Sequence, residues 1–125
     1  MTRRDQRGFP SSGETWNRED PIVFGDDERV RVRQRLSGRQ IVDFALVHEI
    51  LWDGEWRCIY RVDCAHREVH SHHFDVVGRE LKRTEIQAIS RVEDVSAGYA
   101  AIEGSFFDPV RMAERRRKST DGHYH

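Results

Sequence analysis

No stretch of this chain approaches the roughly 18–20 consecutive apolar residues that a membrane-spanning helix requires. Its arginine-rich start also lacks the apolar segment of a signal peptide. Neither a membrane partner nor classical secretion is expected. Cysteine is scarce, with Cys58 and Cys64 the only two. On one extended strand, six residues apart, their Cα atoms would stand about 20 Å from each other, well beyond the roughly 7 Å a disulfide tolerates. An internal bridge is therefore not expected, and a cytoplasmic location fits. Lysine is nearly absent: with only Lys82 and Lys118, arginine supplies 19 of the 21 basic residues. Against 22 acidic residues these leave a net charge of −1, so no global positive field draws nucleic acid, and any such binding needs a local patch. At 125 residues there is room for one hydrophobic core.

Composition divides the chain into a disordered N-terminal tail at 1–21, a single α+β domain at 22–115 and a polar C-terminal tail at 116–125. Phe9 and Trp16 are the tail residues apolar enough to dock on the domain. Within the domain, Glu28 to Leu36 alternates strictly, Val30, Val32 and Leu36 against Arg29, Arg31, Arg33 and Arg35, which is a strand period. Gln40–Trp52 and Glu55–Cys64 flank Asp53-Gly54, a strong hairpin signal because a type I′ turn needs positive φ at both central residues. Further strands are expected at His70–Val77 and, shorter, at Arg79–Lys82. The period then changes: Val92, Val95, Tyr99, Ile102 and Phe106 recur at helical spacing. Ser90 and Glu93 make a capping box, and Pro109 ends the helix or opens a second piece reaching Arg117. The expected fold is a curved antiparallel sheet of four to five strands packed against a C-terminal helix.

The hairpin sorts side chains by face. With regular pairing, Leu46 opposes Arg61 and Phe44 opposes Asp63, so Arg61 and Asp63 share a face with Phe44, Leu46 and His48. Both faces are then partly apolar, and each needs cover from the helix, the tail or a second subunit. An even-length connection to the next strand adds His70 and His72 to the Arg61–Asp63 face; an odd one substitutes His73. The parity is open in the sequence.

Five of the seven histidines fall between His48 and His73. Histidine titrates near neutral pH and serves as either acid or base. An oriented imidazole, a second imidazole and an arginine are sufficient for metal-independent RNA cleavage without a cofactor. Zinc is a second chemistry for the segment, through Cys64, His66, His70 and His72, but no regularly spaced ligand pair marks it. The plain readings are a polar histidine-rich surface, an Arg61–Asp63 salt bridge, and an arginine row at 29–35 that is solvated rather than phosphate-binding. Asp26, Asp27 and Glu28 stand near enough in sequence to neutralise part of that row. The basic run from Arg115 to Lys118 suits a helix C-terminus.

Arg61-Val62-Asp63-Cys64-Ala65-His66, followed by His70-Ser71-His72, resembles the Arg-x-Asp, His, then His-x-His pattern of small TumE-like toxin components and of related uncharacterised actinobacterial and phage proteins. The Arg61, Asp63, His66, His70 and His72 positions match. The family's Asn and Pro between aspartate and histidine are replaced by Cys64 and Ala65, and the spacing is one residue shorter. The resemblance covers residues 40–105. It implies a toxin-like protein acting on RNA; the residues themselves then read as a ribonuclease site, with His72 oriented by Asp63 as base, His66 or His70 as acid and Arg61 on the phosphate. The alternative is a non-enzymatic module that binds a protein partner or self-associates.

Overall fold

The structure is a computed structural model that describes residues 16–65 and 67–121. Six strands form one antiparallel meander in sequence order: β1 (Arg18–Val23), β2 (Glu28–Ser37), β3 (Gln40–Trp52), β4 (Glu55–Ala65), β5 (Glu68–Phe74) and β6 (Glu80–Ala88). Two helices follow, α1 (Glu93–Phe106) and α2 (Pro109–Thr120). The α+β class and the C-terminal helical layer agree with the sequence; the sheet has six strands rather than four to five. β1 takes in residues 18–21, which composition had assigned to the tail, and β6 runs well past Lys82. Both are edge strands with almost wholly exposed side chains, so neither carries the half-buried alternation that marks a strand.

The β3–β4 turn forms as its residues demand, with Asp53 and Gly54 at φ of 54° and 81°. Beyond it the expected register fails. Trp52 pairs with Glu55 as expected, but a bulge between His48 and Glu49 leaves Ile59 as an extra residue on β4. From there on the parity is inverted: Leu46 pairs with Val62 and Ala45 with Asp63. Tyr60, Val62 and Cys64 therefore join Phe44 and Leu46 beneath the helices, whereas Arg61 and Asp63 join Ala45 and Val47 on the opposite face. His48, expected beside Asp63, instead lies fully buried on the helix side, its Nε2 2.7 Å from Glu28 Oε2.

This inversion gathers most of the apolar core on one side, while Trp16 beside the buried Ala45 and Val47 partly covers the other. The helix side collects Val30, Val32, Phe44, Leu46, Val62, Cys64 and Val69 against Val95, Ile102, Phe106 and Met112. The open side is charged. Its arginine row is tied to carboxylates, though not to those adjacent in sequence: Arg29 and Arg31 reach Glu49 at 2.7 and 3.6 Å, and Arg31 and Arg33 reach Glu19 at 2.7 and 3.1 Å. Asp27 bonds Arg116 instead.

α1 begins at Glu93 after Val92, without the expected Ser90–Glu93 box; the Asp94 carboxylate turns back to accept from Ser90 N and Arg91 N. Asp108 caps α2 through Val110 N and Arg111 N, with Pro109 in the first turn where its missing N–H is harmless. α2 is locked down by Arg115. Its guanidinium stacks 4.0 Å from the Tyr60 ring centroid and 4.6 Å from that of Phe106, and it donates to the Phe106 and Ser105 carbonyls at the end of α1. The first residue of the basic run expected at a helix C-terminus thus joins both helices to the sheet.

Candidate functional site

The β4–β5 connection decides which histidines face the open side. Ala65 pairs with Glu68, an even connection, so Asp63 stands opposite His70 and Arg61 opposite His72. Arg61, Asp63, His70 and His72 therefore emerge together on the helix-free face. His73 points the other way, its Nε2 3.1 Å from Ser119 Oγ and 3.3 Å from the Arg115 carbonyl oxygen. Burial pushes the His73 imidazole below its ordinary value, against the opposing pull of that carbonyl bond. His66 lies outside the described residues.

Within the cluster, Arg61 Nε is 2.7 Å from Asp63 Oδ2. Its N–H is not aligned on that oxygen, so the contact is an ion pair rather than a hydrogen bond. The other carboxylate oxygen, Oδ1, is buried without a hydrogen-bond partner and lies 3.7 Å from His72 Nε2. The nitrogen of His72 that is firmly held is Nδ1, 2.7 Å from Glu80 Oε1. Glu80, not Asp63, is thus the carboxylate that orients His72. The His72 ring also stacks on Phe74 at 6.0 Å and 8°. His70 is held in the same manner: Nε2 lies 2.8 Å from Glu68 Oε1 and 3.3 Å from an Arg83 nitrogen, while Nδ1 is buried and unpartnered.

The surrounding carboxylates respond. The bond to His72 holds Glu80 below the usual carboxylate range. Glu68 is lowered first by a hydrogen bond with Glu85 and then by His70, and Glu85 is raised in return, so the two titrate as a pair. Glu68, Glu80 and Arg83 are the members that sequence reasoning missed. Their only trace there is that each lies on a strand next to a histidine, two of them on an edge strand whose full length the sequence hid.

Arg61 borders two hollows. One of about 270 Å³ is lined by Trp56, Arg57 and Phe74; the other, of about 200 Å³, by Trp16, Arg33, Val47 and Asp63. Trp16 is thus a tail residue that meets the domain, whereas Phe9 lies outside the described residues. The cysteines do not contribute a ligand set. Cys64 belongs to the core on the helix side, so it cannot join His70 and His72 at a zinc ion. Burial raises its thiol and pushes that of Cys58 up to about 11.

A family model described as Domain of unknown function (DUF7718) matches residues 16–101. The chain belongs to the DUF7718 family. The matched span contains all six strands, and with them the Arg61–Asp63–His70–His72 face, and it ends within α1. No curated protein and no solved structure matches the chain. The match is to DUF7718 and not to TumE-like toxins, so the toxin likeness rests on the quoted motif residues alone. No helix among the described residues is long and apolar enough to cross a membrane.

Proposed function

We propose that this chain is a toxin-like ribonuclease that cleaves single-stranded RNA by general acid–base catalysis on the open face of its sheet. One observation carries the reading: a guanidinium and two carboxylate-held imidazoles share one face, with aromatic-lined hollows on either side of the guanidinium. RNA carries its own nucleophile, the 2′-hydroxyl, so a protein need supply only a base, an acid and a positive charge. His72, with Nδ1 held by Glu80, takes the 2′-hydroxyl proton at Nε2 as the oxygen bonds to phosphorus. Arg61 holds the non-bridging oxygens, and the hollows containing Trp16 and Trp56 accept the flanking bases by stacking. His70 gives a proton to the departing 5′-oxygen as its bond to phosphorus breaks, leaving a 2′,3′-cyclic phosphate and a 5′-hydroxyl.

The test is incubation of purified protein with end-labelled single-stranded RNA in chelator, with the all-deoxy strand as control. Cyclic-phosphate ends on RNA alone, reduced by about 100-fold or more in His72→Ala, support the proposal. Cleavage that is unchanged in His72→Ala, or that proceeds on the all-deoxy strand, overturns it. A second reading, a protein-interaction module, is favoured by the sheet's two open edges, where Ile22 and Val23 on β1 and Leu81 and Ile86 on β6 are exposed. Light scattering on the eluting protein separates the two: an inert, tight oligomer supports the module.

A further inference from the structure

We infer that Asp63, His70 and His72 form a binding site for a divalent transition-metal ion of the zinc class. One ligand atom from each lies within 4.8 Å of the other two. Two imidazoles and one carboxylate are a donor set that suits zinc and leaves coordination positions open.

The atoms left over by the rest of the structure point the same way. Asp63 Oδ1 is buried without a hydrogen bond, and so is Nδ1 of His70, a residue only 3% exposed. His72 Nε2 has Asp63 Oδ1 as its neighbour at 3.7 Å. An unpaired buried polar atom is costly to leave unmet, and in the proposed site a cation held by Asp63 Oδ1, His70 Nδ1 and His72 Nε2 would meet that need. Ligands about 2.0–2.2 Å from a common ion stand roughly 3.4 Å apart, so the site needs to close by at most about 1.4 Å from the 4.8 Å limit. Metal-ligating histidines commonly bond a carboxylate through their other ring nitrogen, which fixes tautomer and orientation. Both histidines here do so, His70 to Glu68 and His72 to Glu80. Around the site Asp63, Glu68 and Glu80 outnumber Arg61 and Arg83, leaving a net negative charge for a cation.

The inference stands apart from the ribonuclease proposal and constrains it. An ion on His72 Nε2 occupies the lone pair that the base needs, so bound zinc inhibits cleavage. The experiment is calorimetric titration of zinc chloride into the full, untagged chain after chelator treatment and desalting, paired with the RNA assay. Saturable one-to-one binding is expected, weakened at least 10-fold in Asp63→Asn and in His72→Ala, and about 10–100-fold in Glu80→Gln. It should be retained in Cys64→Ser, His73→Ala and H123A/H125A. Circular dichroism confirms that each variant folds; Glu80→Gln, altered on an exposed side chain, serves if a buried change does not. Absent binding, or binding indifferent to Asp63→Asn, His72→Ala and Glu80→Gln, overturns the inference. Zinc binding without RNA cleavage supports the metal site and sinks the ribonuclease; cleavage without zinc binding does the reverse.

Discussion

Arg115 offers the sharpest test of how the helices are held. It is 8% exposed, and its neighbours are carbonyls and rings: the Phe106 carbonyl at 2.9 Å, that of Ser105 at 3.5 Å, and the faces of Tyr60 and Phe106. What the residue contributes is a flat fork more than a positive charge. A charged donor to a buried carbonyl is worth about 1.5–3 kcal/mol, and a desolvated cation–ring contact adds up to about 2 kcal/mol. Because these overlap, Arg115→Ala is expected to lose about 3 kcal/mol, a large share of the roughly 5–15 kcal/mol of a typical domain. Arg115→Lys keeps the charge but loses the plane that stacks and the second donor arm, and the compact ammonium is harder to desolvate. It should still lose about 2 kcal/mol. Urea unfolding followed by circular dichroism, extrapolated linearly to water, measures both. A lysine variant within about 0.5 kcal/mol of the unaltered chain would refute this account, because charge alone would then suffice.

Further expectations concern single sites. Gly104→Ala, with nothing within 4 Å of a new Cβ, should stabilise α1 by about 1 kcal/mol. Gly98→Ala forfeits that gain because its Cβ meets the buried Val69 Cγ2 at 3.2 Å, and chemical unfolding should show no stabilisation. Asp108→Ala removes the α2 cap and should cost about 1 kcal/mol in the same assay. Burial pushes the Asp75 carboxyl up, but hydrogen bonds from Arg79 N, the Arg79 guanidinium and Val77 N together hold it below its ordinary value. A depressed carboxyl stabilises fully above its unfolded value of about 3.9, and the contribution is lost as pH falls through the folded one. The stability gap between the unaltered chain and Asp75→Asn should therefore be widest near neutral pH and shrink below about pH 4; a gap that widens in acid contradicts the assignment.

The parts of the fold legible in the sequence are those where half-burial writes a period. β2 and the α1 stripe are of this kind, because one side of each meets the core; β3, buried on both faces from Val42 to Ile50, shows instead as a long, mostly apolar run, and the turn shows through its Asp53-Gly54 residue types. The edge strands write no such period, which hid β1 and the part of β6 beyond Lys82, and with it Arg83. The grouping of Arg61, Asp63, His70 and His72 was one of two that the sequence left open, because it depends on the parity of one short connection, which the Ala65–Glu68 pairing settles. Their separation from His48 was not legible. Its one trace is the adjacent apolar pair Ile59-Tyr60, where β4 changes phase: Ile59 packs with Ile50 and Val76 in a small cluster, and Tyr60 turns to the helices. Asp63 was named as the orienting acid because cross-strand opposition is all that sequence supplies; the 2.7 Å bond from His72 to Glu80 depends on the register of β6 against β5, which is interrupted by bulges and not written in the sequence.

The surplus residue at Ile59 divides β4 into two stretches with unequal tolerance for insertion and deletion. A residue lost between Glu55 and Cys58 can be made good by drawing the slack into line, leaving Tyr60 to Ala65 seated as before. One lost between Arg61 and Ala65 has no such reserve and would turn part of the polar cluster toward the hydrocarbon of the helix side. Length variation in this hairpin should accordingly collect on the turn side of the kink.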